Sequence, residues 1–212
     1  MRYEIIQTKP YPTAEFEIQS KTGNIGKAVK VHITKKWVDW LFEIEFQQNN
    51  YKMVFGKSDH PFIVFLKEMR PWTLPEKNPY RLYENGVETG KIFRRHAHLW
   101  MEINGCKYST CTVGFGSEGM KCLVFEGFVD KKGNPTGKQI ALIETQNSGQ
   151  LLDRYQVTAQ GDAAGLIALF FGLYWDNNSF HKSDTYYEKS YLVSWGKAKQ
   201  IYDPSFKDSI ND

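Results

Sequence analysis

The run Asp162-Ala163-Ala164-Gly165-Leu166-Ile167-Ala168-Leu169-Phe170-Phe171-Gly172-Leu173-Tyr174-Trp175 limits the folds open to this chain more than any other stretch. Asp162 is placed to accept hydrogen bonds from the first free N–H groups of a helix. Beyond it, apolar side chains occupy every side of the helical wheel, so no face is left for water. Such a helix must be enclosed. A bilayer span needs about 20 apolar residues. This run is shorter, is interrupted by Gly165 and Gly172, and meets Asp176-Asn177-Asn178. The reading is a buried core helix over about 162–176, wrapped by the preceding chain.

What wraps it is read from period-two alternation. In Phe42-Glu43-Ile44-Glu45-Phe46 the apolar residues fall on one face and the acids on the other. The pattern recurs at Glu15 to Ile18, Val29 to Ile33 and Asn50 to Phe55, and further candidates are His60 to Leu66, Tyr80 to Tyr83 and Lys91 to Ala97. Leu99 to Ile103, Lys107 to Val113, Lys121 to Phe125, Gln139 to Glu144 and Arg154 to Thr158 complete the set. Many short strands at close spacing mean a barrel or a sandwich. Asn104-Gly105 is the sharpest hairpin signal, since a type I′ turn needs positive φ at both central residues. Glu68 to Pro79, with Pro71, Pro75 and Pro79, cannot run through a sheet because proline lacks the ladder donor. It reads as a long connection, a crossover between two halves of one sheet.

A weak repeat joins a turn, Gly-Lys and a strand at Gly26-Lys27, Gly90-Lys91 and Gly137-Lys138. A phosphate loop would need four residues between its glycines, Ser or Thr after Lys, and a following helix. None of these is present, so the units read as hairpins.

These stretches, Gly86 to Arg95, Gly133 to Glu144 and above all Arg154-Tyr155-Gln156-Val157 leading into Asp162 to Trp175, resemble the tubby C-terminal-like superfamily. Its members include the LURP-one-related proteins and the phospholipid scramblases. The resemblance implies a mainly β fold, a closed antiparallel β-barrel of about 12 strands around a central hydrophobic C-terminal helix. It assigns 1–180 to the barrel and helix and leaves 181–212 as a C-terminal extension. It also implies a non-enzymatic intracellular domain that binds anionic phospholipid. None of tubby's head-group-reading residues is carried across.

Composition narrows the function classes. Hydrophobic residues at 41% and charged ones at 24% are globular values. Lys plus Arg at 27 against Asp plus Glu at 24 leaves +3, too little to demand a polyanionic partner, and nucleic acid is not expected. Cys106, Cys111 and Cys122 lack CxxC spacing and the opening residues hold no apolar signal stretch, so a cytoplasmic location, peripheral to a membrane, is the expectation. The cysteines read as small buried apolar residues.

The binding candidates are basic. In Lys91 to His98, a strand would point Arg94, His96 and His98 one way, and Arg forks suit an anionic head group. Lys35-Lys36 lies beside Trp37 and Trp40, a combination suited to a membrane interface, although the two Trp also suit the barrel rim. Lys35, Lys36, Arg94 and Arg95 are therefore the predicted lipid or anion contacts. His96 and His98 lack the second ligand pair of a zinc site, and no metal or cofactor is expected. No Gly-x-Ser-x-Gly elbow is present, and Glu43 and Glu45 fall on the wet face of a strand, so no catalytic residue is assigned. A second reading is a protein-interaction module using the aromatic stretch 185–202. A third is a small-ligand barrel, which needs a hollow interior.

Overall fold

In the computed structural model, residues 1–10, 13–31, 38–56, 79–95, 98–114, 120–130, 132–145, 152–179 and 201–210 are described. The alternating segments form β1 (Arg2–Lys9), β2 (Glu15–Ser20), β3 (Gly23–Val31), β4 (Val38–Phe46), β5 (Asn49–Gly56) and β6 (Tyr80–Glu84). They continue as β7 (Val87–Arg95), β8 (His98–Ile103), β9 (Cys106–Gly114), β10 (Met120–Glu126), β11 (Gln139–Thr145) and β12 (Arg154–Ala159). Each strand runs antiparallel to its successor, and β12 pairs with β1. The sheet is thus a closed up-and-down barrel without an edge.

The membership differs from the sequence reading in one place, and one further strand reading lies outside the described residues. β1 is not among the alternating candidates, because Ile5-Ile6 breaks the period, yet Tyr3, Ile5 and Gln7 all turn inward. His60 to Leu66, read as a strand, lies outside the described residues. The proline-rich connection is not a crossover: it joins β5 to β6, which are neighbours in the ladder, with Met53 opposite Leu82.

The helix α1 (Asp162–Ser179) fills the barrel. Ala168, Leu169, Phe170, Phe171 and Leu173 are fully buried, each large side chain removing about 1.5 to 3 kcal/mol of apolar exposure. Rings from the wall meet it at Tyr51–Phe170, 5.6 Å between centroids, and at Tyr80–Tyr174, 4.5 Å. Gly165 and Gly172 let α1 approach β1: a Cβ at Gly165 would lie 2.7 Å from Met1 Sδ, and one at Gly172 would lie 3.1 Å from Ile5 Cδ1. The Tyr3 hydroxyl donates to Gly165 O at 2.6 Å. α1 runs past Trp175 to Ser179, because Asp176 is buried against the wall instead of ending the helix.

The Gly-Lys units have a common geometry. The first two sit on β3 and β7 and the third directly precedes β11, one strand in every four. A Cβ at Gly26 or Gly90 would stand 2.2 Å from the carbonyl oxygen of Glu45 or Glu102, and one at Gly137 would stand 2.4 Å from that of Glu126. The lysine that follows pairs with the side chain of the same glutamate: Lys27–Glu45 at 3.4 Å, Lys91–Glu102 at 3.0 Å and Lys138–Glu126 at 3.8 Å. Each unit therefore needs a bare backbone and a cation at adjacent positions, with the ladder register shifting nearby.

Residues 201–210 lie outside the wall. Asp203 caps a 3-10 turn (Pro204–Lys207), and Phe206 and Ile210 pack on Cys111, Leu123, Phe125, Val129 and Leu142.

Candidate functional site

Because strand direction alternates, connections leaving odd-numbered strands gather at one end of the barrel and those leaving even-numbered strands at the other. The even end is closed by tight turns at 21–22, 47–48, 85–86 and 104–105. The odd end receives the connections 10–14, 32–37, 57–79, 96–97, 115–119 and 146–153, and there α1 also finishes. The direction of α1 follows from its contacts, with Gly165 beside Tyr3, Gly172 beside Ile5, and Asp176 bonded by Tyr155, whose neighbour across the ladder is Ile5.

The four predicted basic residues belong to the odd end. Lys35 and Lys36 fall in the β3–β4 connection, outside the described residues. The backbones of Arg94 and Arg95 pair with Leu99 and His98 at the finish of β7. The two locations are separated on the barrel by β5 and β6. His98 does not share a strand with Arg94, as the sequence suggested: it opens β8, opposite Arg95, and His96 lies outside the described residues.

The outer wall matches charge with charge. Besides the Gly-Lys pairs, Lys52 meets Glu43 at 3.1 Å, Lys9 meets Glu15 at 2.9 Å, Arg81 meets Glu88 at 3.4 Å and Arg154 meets Glu4. Glu43 and Glu45 are thus exposed partners of lysines, and such pairs contribute about 0 to 1 kcal/mol each. Two stretches outside the described residues differ in composition. The β3–β4 connection holds Lys35 and Lys36 without an acid, and 180–200 holds Lys182, Lys189, Lys197 and Lys199 against Asp184 and Glu188. Trp37 and Trp195 belong to these stretches, and Trp72 to the β5–β6 connection.

Among the described residues, several buried polar side chains enter the interior toward that end. Tyr155 donates to Asp176 Oδ1 at 2.6 Å, and both side chains are buried. Lys30 turns inward from β3, and burial lowers its ammonium to about 8 from 10.5, against the opposing pull of Asp176. Gln7 also turns inward and accepts from Asp153 N at 3.0 Å. These groups hold α1 in place. With α1 filling the barrel, the hollow interior required by a small-ligand barrel is not what these residues build. Two shallow depressions lie at the even end, one beside Asn24, Lys27, Glu45, Gln48 and Asp162, the other beside Thr89, Lys91, Glu102 and Lys107.

The two buried thiols are poor nucleophiles. Burial pushes Cys111 up to about 11 and Cys122 up to about 12, so neither supplies thiolate near neutrality. His98 Nδ1 lies 3.0 Å from Thr110 O and 3.8 Å from Cys111 Sγ. A ring nitrogen that donates to a carbonyl cannot also accept the thiol proton. Cys106, expected inside, is exposed. Among the described residues no three His, Cys, Asp or Glu side chains converge as metal ligands, and no helix is long and apolar enough to cross a membrane.

Sequence reasoning missed the contacts of the C-terminal segment. Lys121 Nζ donates to the Tyr202 hydroxyl at 3.1 Å and sits 3.1 Å from Glu144, which also pairs with Lys207. Burial alone would lower the Lys121 ammonium, but the bonds to Tyr202 and Glu144 outweigh it and hold it above its ordinary value. The legible signal is an apolar outer face: Leu123, Phe125 and Leu142 alternate with the inward Cys122, Val124, Ala141 and Ile143. No family model matches the chain, and no curated protein and no solved structure matches it either.

Proposed function

We propose that this chain is a non-enzymatic domain of the tubby-like, LURP-one-related kind that docks on anionic phospholipid surfaces through the odd end of its barrel. The observation that carries the reading is topological. The strand ends that flank the Lys35-Lys36 connection and the finish of β7 with Arg94 and Arg95 lie at the same end of an up-and-down barrel, where α1 also finishes ahead of the lysine-rich sequence 180–200. The Trp residues in the same connections are suited to the head-group layer. Two further facts support it. The interior is occupied by α1, which directs recognition to the outside. On the wall, the paired lysines and arginines are already neutralised by glutamates one strand away.

Attraction to an anionic leaflet is about 1 kcal/mol per basic residue near the surface. It fades over about 10 Å at 0.1 M salt. Sedimentation with phosphatidylcholine vesicles, with and without phosphatidylserine, tests the reading. The chain should pellet only with the acidic vesicles and should be released by salt. The combined variant Lys35→Ala, Lys36→Ala, Arg94→Ala, Arg95→Ala should bind roughly a thousandfold more weakly, from about 1 kcal/mol per residue removed. Equal pelleting with both vesicles, or none with either, overturns the proposal.

A further inference from the structure

β1 and β12 close the barrel by a ladder between residues far apart in sequence, with Arg2 opposite Thr158 and Ile6 opposite Arg154. This seam is held from both sides. Inside, α1 lies against β1: the Tyr3 hydroxyl donates to Gly165 O at 2.6 Å, and Gly172 stands close to Ile5. Outside, Arg2 Nη2 donates to Lys207 O at 2.7 Å and to Ile210 O at 3.2 Å, so a side chain of β1 grips the segment 201–210. A guanidinium that donates to a carbonyl makes a charge-assisted bond, stronger than a neutral one.

The same segment reaches farther across the wall. Following the ladder sideways from Arg2 gives Thr158 on β12, Leu142 on β11, Leu123 on β10 and Cys111 on β9. Leu142, Leu123 and Cys111 belong to the bed of Phe206 and Ile210. Thr158 stands between Val157 and Ala159, which face α1, so it points outward, yet it is only 2% exposed. One row of the sheet, five strands wide, therefore connects the seam to the apolar bed, and the segment has contacts at both of its ends. Two residues along the same strands, Glu144 takes Lys121 from the wall and Lys207 from the segment, and Lys121 donates to the Tyr202 hydroxyl.

These contacts run through side chains. The twelve strands close on themselves without residues 201–210, which take no place in the ladder. A segment held in this way lifts by a local opening, at a lower cost than global unfolding.

We propose that residues 201–210 are a releasable clasp over the barrel seam, and that β1 and β12 part ahead of the rest of the wall when it lifts. The opening is lateral. β1 is the strand that Gly165 and Gly172 let α1 approach, so a parted seam bares the side of the helix and not its ends.

Hydrogen exchange under native conditions, read on fragments of the full chain, tests this. It compares Arg2→Ala, which cuts the grip at the seam, with Phe206→Ala plus Ile210→Ala, which loosens the segment from its bed. In each, the amides of β1 and β12 should exchange about tenfold faster or more, relative to those of β4 and β5, than in the native chain. That is the scale of one hydrogen bond to a charged group. Because both changes undo one clasp, combining them should loosen the seam no further than the stronger of the two. Acceleration spread evenly over the barrel, acceleration confined to β10 and β11, effects that multiply in the combined variant, or no acceleration overturns the proposal. If the chain with Phe206→Ala and Ile210→Ala fails to fold, Arg2→Ala still decides by where the acceleration falls. Lipid binding at the odd end enters none of these readings.

Discussion

The two ends of this barrel solve different problems with the same strands. At the even end the chain turns as tightly as it can: Asn85-Gly86 and Asn104-Gly105 both take positive φ, 49° and 85° in the first and 49° and 76° in the second. Two of the three Gly-Lys units stand just beyond such turns, where backbone presses on backbone. At the odd end most connections are longer, and the buried side chains of Asp176 and Lys30 act on each other electrostatically. The contrast teaches that rigidity and recognition are separated along the barrel axis. The even end depends on local backbone geometry, and the odd end on a few charges placed over an apolar filling.

The contrast breaks first at the mouth. Asp176→Ala removes the acceptor of Tyr155 and leaves the Lys30 ammonium without its opposing charge. Loss of one partner from a buried pair costs about 3 to 5 kcal/mol. Equilibrium denaturation should show this, and Lys30→Met with Asp176→Leu should recover most of it. The same pair sets a pH signature. Because Lys30 is lowered to about 8 from 10.5 in the folded chain, the unfolded chain holds more protons across that window, and native stability gains with pH there. Relative to Lys30→Met, the native chain should therefore become more stable from about pH 8 to 10.5. Chemical unfolding of both chains at several pH values reads that difference, in which the opposing effects of Cys111 and Cys122 cancel.

At the even end the largest expected effect is Gly90→Ala, whose methyl would meet the Glu102 carbonyl at 2.2 Å. Forcing the ladder apart should cost about 1 to 3 kcal/mol in denaturant unfolding. The smallest is a gain. Gln47 and Gln48 hold φ of 48° and 66° without a glycine, so Gln48→Gly should raise stability by about 1 kcal/mol, seen as a higher Tm. If Gly90→Ala proved milder than Gln48→Gly, the even end would not be the backbone-determined half of the molecule.

The same division explains what could be read in advance. The helix start, the Asn-Gly turns and most strands were legible because each rests on neighbours in sequence: Asp162 stands in the first turn of its own helix, and Asn104-Gly105 needs only its own φ values. The wet face of Glu43 and Glu45 was legible for the same reason. The meaning of the Gly-Lys units was not, since it depends on Glu45, Glu102 and Glu126 arriving on a neighbouring strand. Asp176 read as a helix stop because its partner Tyr155 stands 21 positions away. Phe206 and Ile210 are too sparse to show a pattern, and their groove lies on three strands far upstream. Of the candidate site, the residue types were legible. That the strands flanking Lys35, Lys36, Arg94 and Arg95 end on the same side of the barrel followed only from the strand order.

The ladder between β1 and β12 also fixes a timetable. β1 is hydrogen-bonded on one side to β2, which follows it directly, and on the other to a strand that begins at Arg154 and is synthesised long after it. Until that strand and the helix behind it have been synthesised, the nascent sheet has two open edges and an uncovered apolar floor. Contacts of such long sequence separation form late and slowly. An intermediate of this kind is exposed to aggregation while it waits. Synthesis of residues 154–179 should therefore matter more to yield than that of any comparable stretch before it, and slowing synthesis upstream of residue 150 should lengthen the vulnerable interval.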